Sequence, residues 1–461
     1  VLLVLVLGFL GLGVRAAVLQ GMQRDELQAQ GEMRYGRVLA MAAHRGLITD
    51  RNGEPLAVST PVQSIALGPS KFEITADQRI RLAALLELDR ADLERRIEQG
   101  RRGFVYLRRH IAPEQADRVM QVGAPGVLAQ TEHRRYYPAG DVLAHVLGFT
   151  DVDDKGQEGV ELAFEDVLAG KPGSRRVIQD RRGRVIEDVE SVRAPRQGQD
   201  VVLSIDLRLQ YLAYRELKNA VAANNARAGS IVVLDPNTGE VLALANAPAY
   251  NPNNRAHYDT GRARNRALVD LFEPGSTLKP FTVAAALESG LYRPESVIQT
   301  AGGALTIGNR TIHDAHASAT NLTVSQVIQI SSNVGTARMA LSLPPQDLWQ
   351  VLSTSGFGAV PRSGFPGEAG GRLRDPQSWK PIEQATMSYG HGISVSLMQL
   401  ARAYTIFCHD GSLLPLSLLR RTGPVTGLPV ISPRTAADLR GMLQLVTQAG
   451  GTAPAAQVTG Y

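Results

Sequence analysis

Ser276 and Lys279 stand three residues apart in the run Glu273-Pro274-Gly275-Ser276-Thr277-Leu278-Lys279-Pro280-Phe281. A serine hydroxyl is a weak nucleophile until a neighbouring base takes its proton. Lysine serves as that base only where burial lowers its pKa enough to leave it neutral. Pro274-Gly275 predicts a turn, and Phe281 to Leu287 reads as an apolar helix stopped at Gly290. Ser276 then falls near a helix N-terminus. Residues i and i+3 share a helix face, so hydroxyl and amine can meet. The flanking leucine, proline and phenylalanine supply an apolar setting. The helix N-terminus adds N–H donors and partial positive charge, which favour a developing oxyanion. A Ser-x-x-Lys match is weak alone: chance places one in roughly one chain in three of this composition. No other serine here has lysine at i+3.

A second cluster is Ser331-Ser332-Asn333, between two helical stretches. Thr323 and Gln326 cap the first of these. A Ser-x-Asn loop could set a hydroxyl beside the lysine as a proton relay and offer an amide to a substrate peptide group. Taken in isolation it reads first as an ordinary polar helix–helix turn. His313-Asp314-Ala315-His316 holds two histidines at i, i+3, but no third ligand is placed, so a polar loop is expected and no metal. His391 lies between two glycines and is assigned no chemistry. No phosphate-cradling glycine loop precedes a helix, so no cofactor is expected.

The elements that must position these residues divide near residue 200. Before it, Asp50-Arg51-Asn52-Gly53 predicts a tight hairpin turn and Val58 to Leu67 an extended segment. Thr75 and Gln78 form a capping pair ahead of Ile80 to Leu88, and a second helix, Ala91 to Ile97, is expected to end at Gly100. Val177 to Gln197 reads as edge strands. After it come a short strand (Asp200 to Ser204), a helix (Leu207 to Ala223) and a hairpin, Ser230 to Leu234 and Val241 to Ala245, about the turn Asp235-Pro236-Asn237-Thr238-Gly239. From Leu278 onward most segments read as helices. A hairpin followed by a helical block predicts an α+β fold rather than alternating βαβ units.

The 461 residues allow two or three domains, and 44% apolar with 20% charged residues is ordinary for a globular chain. The net charge of +5 with 5% aromatics, and no basic stripe, excludes nucleic acid as the expected partner. Cys408 is the one cysteine and reads as a buried small hydrophobe. Val1 to Val14 is apolar or glycine and ends at Arg15. It is read as the outer part of a transmembrane anchor that starts beyond this sequence, in preference to a signal-peptide core. Residues 15–41 read as a juxtamembrane helix, 42–199 as a second unit and 200–461 as a third.

Taken together, these residues resemble the active-site set of the penicillin-binding proteins: Ser-x-x-Lys, a Ser-x-Asn loop and a Lys-Thr-Gly strand. Within them the chain is similar to the class B, division-specific FtsI-type transpeptidases. Arg45-Gly46 with Asp50-Arg51-Asn52-Gly53, Arg135-Tyr136-Tyr137-Pro138 and Gly156-Gln157-Glu158-Gly159-Val160-Glu161 resemble the boxes of the class B pedestal. Tyr389-Gly390-His391-Gly392 and Leu397 to Tyr404 resemble the segment leading to the third motif. No Lys-Thr-Gly or Lys-Ser-Gly occurs; Arg421-Thr422-Gly423 comes too early, and the motif is expected about ten residues beyond Tyr461.

The resemblance implies an antiparallel sheet flanked by helices behind an elongated, β-rich, dimerisation-type pedestal. It implies Ser276 as nucleophile, Lys279 as general base, Ser331 as proton relay and Asn333 as binder of the substrate amide. The implied reaction is D,D-transpeptidation of peptidoglycan stem peptides during septal synthesis, with β-lactams acylating the same serine. The implied setting is the cell inner membrane, single-pass, with the catalytic domain periplasmic. Implied partners are a SEDS-family glycosyltransferase and other divisome proteins. Rival readings are a D,D-carboxypeptidase or β-lactamase-like hydrolase, and a non-catalytic division scaffold.

Overall fold

The apolar start forms a helix, α1 (Leu2–Ala17), with Arg15 in its last turn. The side chains from Val6 to Val14 stand exposed. In the computed structural model, residues 2–22, 36–41, 43–68, 73–179, 185–255, 258–316 and 319–460 are described. No helix among them is long and apolar enough to cross a membrane. The helix expected over 15–41 does not run to its end: Gly36–Met41 is a strand, β1, because it finds an antiparallel partner in Gly173–Ile178.

β2 (Ile48–Thr49) and β3 (Pro55–Leu67) pair about the predicted turn. Asp50 Oδ1 closes it by accepting from the N–H groups of Asn52 and Glu54 at 2.7 and 2.9 Å. α2 (Ala76–Leu86) starts on the capping box of Thr75 and Gln78 as read from sequence. α3 (Arg90–Arg102) runs two residues past Gly100, the expected stop. That glycine serves a close approach instead: a Cβ there would lie 3.0 Å from Leu67 Cβ. β4 (Val105–Ile111), α4 (Pro113–Gln121) and β5 (Val127–Tyr136) follow. β3 is long enough to take β5 along Val58–Leu67 and β4 along Gln63–Leu67 on its other edge. Leu82, Leu86, Leu93 and Ile97 of the two helices pack on Ile65, Leu67 and Leu107 of this sheet.

β6 (Gly173–Gln179) and β7 (Val185–Arg193) form a hairpin that completes the sheet begun by β1. β8 (Val201–Val202) lies parallel to β2, so the chain re-enters the first sheet as it leaves the first unit. α5 (Leu207–Ala223) and the hairpin of β9 (Gly229–Leu234) and β10 (Val241–Ala247) match the expected elements closely. The helical block then builds a core from Leu278, Phe281, Val283, Val327, Leu348, Leu352, Ile406 and Leu439. A second core spans both units: Ile48, Leu56, Leu143, Leu147 and Val160 pack with Leu203, Leu244, Leu268, Met398 and Leu418. The architecture is α+β.

Cys408 corrects the sequence reading. It ends the helix Leu397–Cys408, where Ile406 and Phe407 face the core and the cysteine is left exposed.

Candidate active site

Pro274 leads into a 3₁₀ turn, Gly275–Leu278, which runs directly into α6 (Lys279–Glu288). In 3₁₀ geometry residues i and i+3 eclipse, so the turn sets Ser276 and Lys279 on one azimuth. α6 is buried from Lys279 to Ala286, as befits a helix enclosed on every side. Ser276 is exposed, whereas Lys279 is 2% exposed. No hydrogen bond joins the Ser276 hydroxyl to Lys279 among the described residues. Such contacts are often long until substrate is bound.

Lys279 Nζ donates to the carbonyl oxygen of Ser331 at 2.5 Å and to its hydroxyl at 2.8 Å. Burial pulls the ammonium down to about 8, against the opposing pull of the Asp314 carboxylate. A free lysine titrates near 10.4. Ser331 sits at φ +59°, a left-handed conformation that a non-glycine residue adopts at a cost of order 1–3 kcal/mol. Here it turns both carbonyl and hydroxyl toward the amine.

The loop is framed by α7 (Val324–Gln329), which opens on the Thr323–Gln326 capping box, and α8 (Asn333–Leu341). Ser332 is the N-cap of α8: its hydroxyl accepts from Gly335 N–H and donates to Asp314. Asp314 also accepts from Val334 N–H at 2.9 Å, so a carboxylate sits at the positive end of α8. Asn333 Nδ2 donates to His313 O at 2.9 Å. The structure thus joins Lys279 to Ser331, while the Asn333 side chain pairs with His313 O rather than with the serine turn.

A second set of contacts fixes the turn itself. Phe272 and Val395 exchange backbone hydrogen bonds of 3.0 and 2.9 Å, and Gly275 N–H donates to Gly390 O at 3.2 Å. Glu273 accepts from Gly392 N–H at 2.7 Å and lies 3.1 Å from His391 Nδ1. These contacts hold the Glu273 carboxyl below the usual range, the Gly392 N–H contributing most. Tyr404 OH donates to Thr277 O at 2.7 Å. Gly390 is required here: at φ +88°, a Cβ would stand 2.1 Å from Gly275 O.

Sequence reasoning had not singled out Glu273, Asp314 or Ser332. Asp314 had been read as part of a polar loop, and His391 without a role. Only Ser332 carried a local signal, as an N-cap ahead of a helix. Among the described residues no His, Cys, Asp or Glu group could hold a metal ion. Arg421-Thr422-Gly423 is committed elsewhere: Arg421 donates to Glu240 Oε1 and Thr238 O, at the β9–β10 turn.

Comparison with known proteins identifies the two domains. The family model of the penicillin binding protein transpeptidase domain matches residues 229–461, and that of the penicillin-binding protein dimerisation domain matches residues 40–203. The chain is 40% identical over 465 residues to the probable peptidoglycan D,D-transpeptidase PenA of Neisseria meningitidis, covering 100% of this chain and 80% of that one. It is 42% identical over 453 residues to the peptidoglycan D,D-transpeptidase FtsI of Escherichia coli, covering 97% and 76%. Among solved structures, penicillin binding protein 3 of Mycobacterium tuberculosis, complexed with aztreonam, is similar with a TM-score of 0.70 at 26% identity, over 92% and 80% of the two chains. With both of its domains matched in order, the chain belongs to the penicillin-binding protein transpeptidases that carry an N-terminal dimerisation domain.

Proposed function

We propose that this chain is a serine D,D-transpeptidase that cross-links peptidoglycan stem peptides through an acyl-enzyme during septal wall synthesis, and that β-lactams acylate the same serine. One observation carries the reading. Lys279, 2% exposed and drawn toward neutrality, stands one 3₁₀ turn from Ser276 with its amine 2.8 Å from the Ser331 hydroxyl.

Ser276 attacks the carbonyl between the last two D-alanines of the donor stem. Neutral Lys279 takes the hydroxyl proton. Ser331, hydrogen-bonded to that amine, passes a proton to the departing D-alanine nitrogen. Asn333 holds the donor peptide, and the Ser276 N–H is one oxyanion donor. An amine of a second stem then attacks the ester, forms the cross-link and returns the serine.

The same proposal assigns 1–14 to a membrane anchor, 15–41 to a juxtamembrane segment, 42–199 to the pedestal and 200–461 to the catalytic domain. It places the chain at the inner membrane with its catalytic domain periplasmic, beside a SEDS-family glycosyltransferase and other divisome proteins. Support comes from the apolar run of α1 and the pedestal boxes.

The test is covalent labelling by a fluorescent penicillin. Ser276→Ala is expected to abolish the label while the melting temperature stays within a degree or so of wild type. Label persisting in Ser276→Ala would sink the assignment of the nucleophile.

A further inference from the structure

The turn that carries Ser276 has a gap in its backbone ladder. Pro280 has no N–H to give. Two carbonyls therefore lose a donor that another residue at 280 could supply: Ser276 O its i+4 partner and Thr277 O its i+3 partner. The first is met inside the turn, where Lys279 N–H donates to Ser276 O. The second is met from outside. Tyr404 OH, 127 residues further along the chain, donates to Thr277 O at 2.7 Å.

Tyr404 is held in place for that contact. It lies in the helix Leu397–Cys408, which opens on a capping box of Ser396 and Gln399. Its ring stands edge-on to the buried rings of Phe281 and Phe407, with centroids 5.5 Å apart in each pair. Phe281 belongs to α6, so the phenol and the serine turn share one packed core. Burial raises the pKa of the phenol, so the hydroxyl stays a donor. Thr277 Oγ1 donates in turn to Pro274 O at 2.7 Å, which ties the residue at its side chain as well as its carbonyl.

The contact bears on catalysis through azimuth. Eclipsed in 3₁₀ geometry, Ser276 and Lys279 would stand about 60° apart in an α-turn. No hydrogen bond between their side chains, among the described residues, corrects such a rotation. Their alignment rests on the backbone of the turn.

We propose, on the reading that Ser276 is acylated with Lys279 as its base, that Tyr404 is a positioning residue for that step. Its hydroxyl replaces the N–H that Pro280 lacks, fixes the Thr277–Leu278 peptide and so holds Ser276 in line with Lys279. Thr277 is exposed, so water can take its carbonyl once the hydroxyl is gone. Water satisfies the acceptor without fixing its direction, which separates orientation from stability.

Tyr404→Phe keeps the ring and its packing and removes the hydroxyl alone. Acylation of the full chain by a fluorescent penicillin, followed at rising ligand concentration, separates the dissociation constant of the non-covalent complex from the acylation rate constant. Tyr404→Phe is expected to lower the rate constant about tenfold, to leave the dissociation constant within about twofold and to move the melting temperature by no more than about 3 °C. Pro280→Ala restores an N–H at i+3 from Thr277. Added to Tyr404→Phe, it is expected to return about threefold of the lost rate, a gain it does not give in the wild type. An unchanged rate constant in Tyr404→Phe, a loss confined to the dissociation constant, or the same loss with and without Pro280→Ala overturns the inference. A wild-type chain that takes no label at Ser276 removes the proposed function with it, whereas wild-type labelling matched by Tyr404→Phe removes the role of Tyr404 alone.

Discussion

Lys279 as a neutral base makes acylation depend on pH in a predictable way. With its pKa drawn to about 8, the amine is neutral in about one molecule in eleven at pH 7. An unburied lysine near 10.4 would be neutral in about one in 2,500, so burial enriches the active form about 200-fold. The rate constant for acylation by a fluorescent penicillin is therefore expected to rise about tenfold per pH unit below pH 7 and level off above pH 9. Asp314 opposes the effect of burial. Asp314→Asn keeps an oxygen for Val334 N–H and removes the charge, so the midpoint moves down.

The same shift has a stability signature. Between about pH 8 and 10.4 the unfolded chain binds the proton that folded Lys279 has lost, so stability rises with pH there. Below pH 8 the full cost remains, about 3 kcal/mol. Lys279→Met removes that cost along with the activity. Its urea midpoint should exceed that of wild type at pH 7, and the gap should close toward pH 10. A flat acylation profile from pH 6 to 9, or an unmoved midpoint in Asp314→Asn, refutes the argument.

Glu273→Ala frees Gly392 N–H and His391 from the serine turn and is expected to slow acylation about 100-fold with the fold intact. Glu273→Gln keeps an acceptor for Gly392 and should recover most of the rate; equal loss in both variants would show that charge matters more than position. Gly390→Ala cannot keep the close approach to Gly275, so the soluble protein should take no penicillin label. Glu161→Ala leaves Arg45 and Arg135 buried without their carboxylate and is expected to lower unfolding free energy by about 3–5 kcal/mol in urea titrations; a change within 1 kcal/mol would mean that water replaces it.

What the sequence revealed was local. The capping boxes at Thr75 and Thr323 involve neighbours three residues apart, and both appear in the structure as read. The turns at Asp50 and Asp235 were legible for the same reason. Ser276 and Lys279 could be set side by side because one turn of helix joins them. The contacts that finish the site are remote: His391 is 118 residues from Glu273, and Lys279 lies 52 from Ser331. No spacing rule reaches so far, and the Ser-x-Asn loop acquired its place only by resemblance. Gly100 was misread because a glycine that ends a helix and one that admits a neighbouring side chain look alike. Cys408 was misread because its apolar neighbours did not reveal which side of the helix it would take.

The core shared by Ile48, Leu56, Leu203, Met398 and Leu418, with β8 lying against β2, gives the division near residue 200 an unexpected character. It is a seam in the sequence and a continuous solid in space. Domains joined by a polar linker swing freely, whereas a large apolar contact resists it. A push delivered to the pedestal would reach the helical block as strain in packed side chains, and the catalytic half, cut free at residue 200, would carry away an unhealed apolar face.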